Sequence, residues 1–187
     1  MTRIVAGTFG GRRIATPPGE GTRPTSDRVR EALFSAVQAG TDLDGARVAD
    51  LYAGSGAVGL EALSRGAAHV LLVESDPRAA RVIRRNVAAL GAAPVVRLVT
   101  GRVATVLAGG PEGEPYDLVF ADPPYAVSDE EVAAVLTALV DHGWLAPDAL
   151  VVVERSSRSG KLRWVPGITG ERSRRYGETT LWYGRRS

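Results

Sequence analysis

Hydrophobic and polar positions along this chain fall into two rhythms. Between residues 26 and 40, Val29, Ala32, Leu33, Ala36 and Val37 recur at i, i+3, i+4, i+7 and i+8. That spacing predicts an amphipathic helix with one buried stripe. Thr25 or Ser26 can cap its start, and Gly40 closes it. From Val48 onward the apolar residues gather into short blocks instead: Val48 to Tyr52, Val70 to Val73, Val95 to Val99, Asp117 to Ala121 and Leu150 to Val153. Nearly unbroken apolar blocks of this length fit strands covered on both faces. Helical patterns separate them. One runs from the Gly54-Ser55-Gly56 turn to Arg65 and stops at Gly66. A second opens with Asp76 as cap and Pro77 as first helical residue, keeps Ala79, Ile83, Val87 and Leu90 on one side, and stops at Gly91. A third opens at Ser128 with Glu131 three residues on, a capping box, and reaches about Val140.

Strand and helix patterns joined by short connections predict an α/β fold, a mostly parallel twisted sheet with helices on both faces. The two ends differ from this core. Residues 3–14 read as a small β-hairpin with Gly7, Gly10 and Gly11 at its turns, and residues 15–25 as a loop rich in Pro, Gly and Thr. At the other end, Leu162 to Val165 and Thr179 to Tyr183 read as two strands joined by a polar, Arg-rich segment. No helix separates them, so they are expected to form an antiparallel hairpin at one sheet edge. The expected organisation is an extension over residues 1–25 and one domain over residues 26–187.

Composition narrows the chemistry. Among 187 residues there is no Cys, which removes disulfides, thiolate nucleophiles and Cys-based zinc sites. Two histidines, His69 and His142, cannot build a His-rich metal centre, and no metal is expected. No apolar run approaches the roughly 20 residues of a membrane span, and the N-terminus lacks the apolar core of a signal peptide. A cytoplasmic monomer without membrane contact is the expectation. The net charge of +2 hides an asymmetry. Residues 1–31 carry six arginines against three acids, net +3; residues 155–187 carry nine basic residues against two acids, net +7; residues 32–154 are net −8. Basic ends around an acidic middle point to a polyanionic partner held at the ends.

Ligands of open α/β sheets bind beyond the carboxyl ends of the strands, and the residues expected there carry chemistry. After the first core strand comes Asp50-Leu51-Tyr52-Ala53-Gly54-Ser55-Gly56. Gly54 and Gly56 let backbone approach a ligand closely, with a helix N-terminus behind them. Glu74 and Ser75 close the next strand, and an acid there suits ribose hydroxyls. Residues 54–59 also match the dinucleotide pattern G-x-G-x-x-G. Asp50, however, sits where it would repel a pyrophosphate and suit a cationic amino group. Ribose hydroxyls with an ammonium and no phosphate describe S-adenosylmethionine. The most specific motif is Asp122-Pro123-Pro124-Tyr125. The prolines fix φ and remove two N–H donors. The Asp122 carboxylate and the Pro123 carbonyl can then accept both hydrogens of one planar NH2 group, and Tyr125 offers a face for a flipped base. A nucleobase amine is a poor nucleophile because its lone pair is delocalised into the ring; two acceptors draw that pair toward a methyl donor.

At these residues the chain resembles the RsmD-type 16S rRNA (guanine-N2)-methyltransferases, which have the Rossmann-like class I methyltransferase fold. The resemblance spans Arg3-Ile4-Val5-Ala6-Gly7, Gly11-Arg12-Arg13, Thr22-Arg23-Pro24-Thr25, Asp27 to Phe34, Asp50 to Gly56, Gly59 to Gly66 and Asp122 to Tyr125. It implies methyl transfer from S-adenosylmethionine to a guanine amine of 16S rRNA, in an assembled or assembling 30S subunit. It puts the donor on Asp50, Gly54, Gly56 and Glu74 and the target on Asp122, Pro123 and Tyr125; Tyr52, Ser75, Arg102, Val103 and Asp122 are expected to join the donor site, and Pro124 the target site. Two departures stand out. Tyr52 occupies a position that is Gly in many class I enzymes, and Gly101-Arg102 stands where an acid often meets the adenine amine, so a backbone contact near Arg102 or Val103 is expected instead.

Basic residues complete the expected site. Arg12, Arg13, Arg23, Thr25, Arg28 and Arg30 near the start, and Arg172, Arg174 and Arg175 near the end, are expected to meet RNA. Cations at a helix start oppose the helix dipole, which argues for an anionic partner at Arg28 and Arg30. His69, His142, Trp144, Trp164 and Trp182 are expected to be structural. Two rival activities share some motifs: a DNA adenine-N6 or cytosine-N4 methyltransferase, for which the chain lacks a target-recognition domain, and a dinucleotide oxidoreductase, which leaves the Asp-Pro-Pro-Tyr sequence without a role. A protein glutamine acceptor would fit Asn-Pro-Pro-Tyr better.

Overall fold

A computed structural model describes residues 2–18 and 26–187. The N-terminal hairpin is two short antiparallel strands, β1 (Thr2–Arg3) and β2 (Arg13–Ile14). It is not a free appendage, because Ile4 and Ile14 are buried in the same apolar cluster as Phe34, Leu60 and Leu72.

The main sheet has seven strands. Five run parallel: β3 (Arg47–Leu51), β4 (His69–Glu74), β5 (Val96–Thr100), β6 (Tyr116–Ala121) and β7 (Leu145–Ser156). Two close one edge in antiparallel fashion, β8 (Ile168–Tyr176) and β9 (Thr179–Arg186). The order across the sheet is β5-β4-β3-β6-β7-β9-β8. The apolar blocks have no polar alternation because both faces are covered. Leu118, Phe120, Leu150 and Val152 face one cluster, with α1 (Asp27–Gly40), α2 (Ala57–Ser64) and α3 (Pro77–Ala89). Val119, Ala121, Val151 and Val153 face the other, with α4 (Val103–Ala108) and α5 (Asp129–Asp141). The predicted caps form. Ser26 accepts from the Val29 N–H, Asp76 from Arg78 and Ser128 from Glu131.

Three local expectations are corrected. The buried stripe of α1 is Arg30, Leu33, Phe34 and Val37, turned from the expected one, with Val29, Ala32 and Ala36 only half-buried. A buried arginine has no hydrophobic signature. The C-terminal hairpin pairs β9 with Ile168–Tyr176, so the Arg-rich segment is itself the strand and residues 162–165 are not. The edge strand is exposed from Thr169 to Arg175, so it shows no apolar alternation. The apolar run instead packs on the core. A Cβ at Gly170 or Gly184 would come within 2.4 or 2.8 Å of the Trp164 ring. The helix α4 lies in a stretch whose pattern predicted no element.

Candidate active site

The carboxyl ends of the parallel strands open into one cleft of about 670 Å³, within the range of ligand sites. Its walls come from the turn after β3 (Tyr52, Gly54), the end of β4 (Glu74, Ser75, Asp76), the start of α4 (Arg102, Val103, Ala104), the loop after β6 (Asp122 to Tyr125) and the end of β7 (Glu154, Arg155).

The glycine turn is built from backbone that few other residues tolerate. Gly54 and Gly56 have φ of +60° and +81°, where a side chain is strained. Tyr52 also sits at φ +62°, a conformation that glycine takes freely and tyrosine holds at a cost. Glu74 fixes the turn from the neighbouring strand: its Oε1 accepts the Gly54 N–H at 2.7 Å and its Oε2 the Asp76 N–H at 2.9 Å. Gly59 has a different reason. A Cβ there would lie 2.4 Å from Leu72 Cδ2 and 2.8 Å from Val70 Cγ1, so the third glycine of the pattern lets α2 pack against β4. The G-x-G-x-x-G match therefore reports helix–strand contact and needs no dinucleotide.

Asp50 lies a layer deeper than expected. Its carboxyl is 2% exposed, does not line the cleft, and accepts the Gly59 N–H at 3.0 Å. It supplies the start of α2 with the acceptor that Gly56 lacks. Burial raises its pKa to about 8, against the pull of the Gly59 hydrogen bond, and the charges of Glu74 and Glu154 add to the rise.

The Asp122-Pro123-Pro124-Tyr125 loop projects between β6 and α5. Asp122 is half-buried, Pro123 buried, and Tyr125 is 61% exposed at the mouth. Arg155 pins the loop from β7, donating to the Val127 carbonyl and to Asp129 Oδ1, both at 3.1 Å. Burial, then the charges of Glu154 and Asp50, hold the Asp122 carboxyl well above the usual carboxylate range, with Arg155 opposing. Glu154 is also in hydrogen-bonding contact with Asp122. Neither Glu154 nor Arg155 is among the residues expected from sequence. The signal was available in the acid that ends the fifth apolar block, as Glu74 ends the second.

Known proteins resemble this chain along most of its length. The profile of the family described as "Conserved hypothetical protein 95" matches residues 2–185. The Ribosomal RNA small subunit methyltransferase D of Escherichia coli K12 is 41% identical over 158 residues, 84% of this chain and 76% of that protein. Its Haemophilus influenzae counterpart is 35% identical over 153 residues, 81% of this chain and 77% of its own. This chain belongs to the RsmD-type methyltransferase family. A solved Escherichia coli chain described as a methyltransferase, yhhF, superposes with a TM-score of 0.86 at 34% identity, covering 100% of this chain and 98% of that one. The fold is that of the Rossmann-like methyltransferases.

In this methyltransferase the expected site residues divide. Tyr52, Gly54, Glu74, Ser75, Arg102, Val103 and Asp122 to Tyr125 meet in the cleft; Asp50 and Gly56 brace it from behind. Of the expected RNA contacts, Arg12, Arg13, Arg28, Arg172, Arg174 and Arg175 are exposed, while Arg23 and Thr25 lie outside the described residues. Arg30 is corrected. It is 0% exposed, bonded to Glu61 Oε1 at 3.2 Å, Asp27 Oδ1 at 2.9 Å and the Arg3 carbonyl, so no phosphate reaches it. Arg175 pairs across the hairpin with Thr180, itself opposite Arg155, which places Arg174 and Arg175 at the cleft end of the sheet. The histidines and tryptophans have structural settings: His69 meets the Tyr116 hydroxyl at 3.1 Å, and Trp144 donates to the Leu107 carbonyl at 2.8 Å. Among the described residues, no His/Cys/Asp/Glu cluster suits a metal and no helix is long and apolar enough to cross a membrane.

Proposed function

We propose that this methyltransferase transfers the methyl group of S-adenosylmethionine to the exocyclic N2 amine of a guanine in 16S rRNA, within an assembled or assembling 30S subunit. The observation that carries this reading is the pairing of two acceptors, the Asp122 carboxylate and the Pro123 carbonyl, with the solvent-exposed Tyr125 in the same cleft as the Gly54–Glu74 turn.

The cleft suits the donor. Each Glu74 oxygen has one backbone N–H and keeps a lone pair for a ribose hydroxyl. Tyr52 and Gly54 would flank the donor, and the Arg102–Val103 backbone would meet its adenine. When bound, S-adenosylmethionine supplies an electrophilic methyl on a sulfonium. Asp122 and Pro123 hold the amine in place and draw its lone pair out of conjugation, so orientation does most of the work. The Asp122 carboxylate, raised in basicity by burial and by Glu154, takes the proton that the nitrogen gives up.

Exposed arginines supply the grip on phosphates. Arg174 and Arg175 at the cleft end of the sheet, and Arg12, Arg13 and Arg28 near the N-terminal extension, carry it. The only exposed large hydrophobics among the described residues are Val95 and Tyr125, which leaves no apolar patch asking for a second copy and supports a monomer. The reading is tested by incubating the protein with labelled S-adenosylmethionine and, separately, 30S particles, naked 16S rRNA and DNA. Label on 30S particles as N2-methylguanosine is expected; label on DNA, or on no nucleic acid, overturns it.

A further inference from the structure

The sheet register sets a second carboxyl beside the one that holds the amine. Ala121 of β6 pairs with Val153 of β7, so Asp122 and Glu154 leave neighbouring strands side by side and toward the same face. Both line the cleft, and their carboxyls touch. Arg155, the next residue on β7, points to the opposite face. Its guanidinium is taken up by the Val127 carbonyl and Asp129. Two acids are therefore held together at the place where a base amine would sit, and this site needs only one to hold an amine.

The chemistry of the base accounts for the second. A guanine presents two neighbouring donors on its Watson–Crick edge, N1–H and the N2 amine. Adenine and cytosine each place a ring-nitrogen acceptor beside their amine. A lone acid with a carbonyl accepts any of these amines. A second carboxylate beside it accepts N1–H of guanine and repels the ring nitrogen of the other two. We propose that Glu154 is the base-identity residue of this site, its carboxylate accepting guanine N1–H while Asp122 and the Pro123 carbonyl take the two hydrogens of N2. This rests on the guanine-N2 reading above. It gives the cleft a means of choosing guanine that the Asp-Pro-Pro-Tyr loop alone does not supply, because a site built to hydrogen-bond one edge leaves buried polar groups unpaired against another.

The charged groups around the pair are Asp50 on β3, Glu74 on β4, Glu131 on α5 and Arg155 on β7. Glu154 raises the affinity of Asp122 for its proton. Removing its charge should therefore move the acid limb of the methylation rate to lower pH, as its position beside Asp122 requires, while the preference between bases reads its contact with N1.

The test replaces the target guanine, once mapped, with 2-aminopurine in 16S rRNA reassembled into 30S particles. That base keeps the amine but has no hydrogen on N1. The wild-type protein is expected to methylate guanine at least about tenfold faster than 2-aminopurine, since such sites discriminate strongly. In Glu154→Gln, whose amide can donate to N1, the preference should fall to within about threefold and the acid limb should shift down. Glu154→Ala should lose the preference as well, so a folding defect in one variant leaves the other to decide; S-adenosylhomocysteine affinity serves as the control for an intact cleft. An unchanged guanine preference in both variants overturns the role of Glu154 at the base, and an unmoved acid limb in Glu154→Gln overturns its placement against Asp122. A wild-type protein that forms no N2-methylguanosine overturns the underlying reading instead.

Discussion

Two groups of buried and half-buried ionisable side chains lie on the same side of the sheet, and they are built on opposite terms. Around Glu61 every charge is answered. Its Oε1 takes the Val5 N–H at 2.7 Å and Arg30 Nε at 3.2 Å; its Oε2 takes the Ala6 N–H at 3.1 Å and Arg65 Nε at 2.9 Å. This cluster joins α1, α2 and the N-terminal hairpin. Around Asp122 the charges are alike. Burial raises both Asp50 and Asp122, the charge of Glu154 adds to each, that of Asp50 adds at Asp122, and Arg155 opposes at Asp122 only in part. A buried ion pair that is fully satisfied holds structure together; buried acids crowded by one another are costly to ionise and gain most from a ligand that brings donors. The difference separates scaffold from site without reference to sequence motifs.

The largest expected effect comes from removing the acceptor. Asp122→Ala should lower methyl transfer by about 10³-fold, as loss of a key polar group at a reacting atom does, while S-adenosylhomocysteine binding stays within a few-fold. Retained activity would dissolve the contrast between the clusters.

The reverse experiment breaks the scaffold. Glu61→Ala strands the buried Arg30 guanidinium and two backbone N–H groups, and should cost about 3–5 kcal/mol in denaturant unfolding. The cleft should still bind S-adenosylhomocysteine where the variant is folded.

A third prediction sharpens the comparison through pH. The pKa of Asp50 is about 8 in the folded protein and about 3.9 in an unfolded chain, so the folded state binds the proton more tightly. Its stabilising contribution is complete below pH of about 4 and is lost as pH rises toward 8, with a slope of up to about 1.4 kcal/mol per pH unit. Asp50→Asn should flatten that decline in the ligand-free protein, as followed by thermal unfolding. A slope equal to wild type would show that Asp50 is not the titrating group.

The smallest effect lies outside both clusters. Replacing Arg174 and Arg175 with Gln should weaken binding to 30S or rRNA several-fold and lower the salt slope by about two, with thermal stability unchanged. An unchanged slope would take these arginines out of the interface.

Much of this was legible in the sequence. The parallel sheet followed from apolar blocks covered on both faces, and the Asp122 loop and Glu74 from motifs at strand ends. What escaped notice escaped for physical reasons. Arg30 is an ionic core residue, so neither periodicity nor composition marks it as buried. The β8 strand is an exposed edge and shows no alternation. Glu154 ends a strand as Glu74 does, but its importance depends on standing beside Asp122, and strand neighbours 32 positions apart in sequence become adjacent only through the sheet order. Its sequence position puts Asp50 at a strand end, but its depth beneath the glycine turn is a three-dimensional fact.

The atom that receives the methyl group decides between guanine N2 and every rival acceptor. Digestion of 16S rRNA from treated 30S particles to nucleosides, followed by mass spectrometry against standards, measures this directly. N2-methylguanosine that appears with the wild-type protein and is absent with Asp122→Ala is the predicted result; methyladenosine, methylcytidine or guanosine methylated on a ring atom would contradict it.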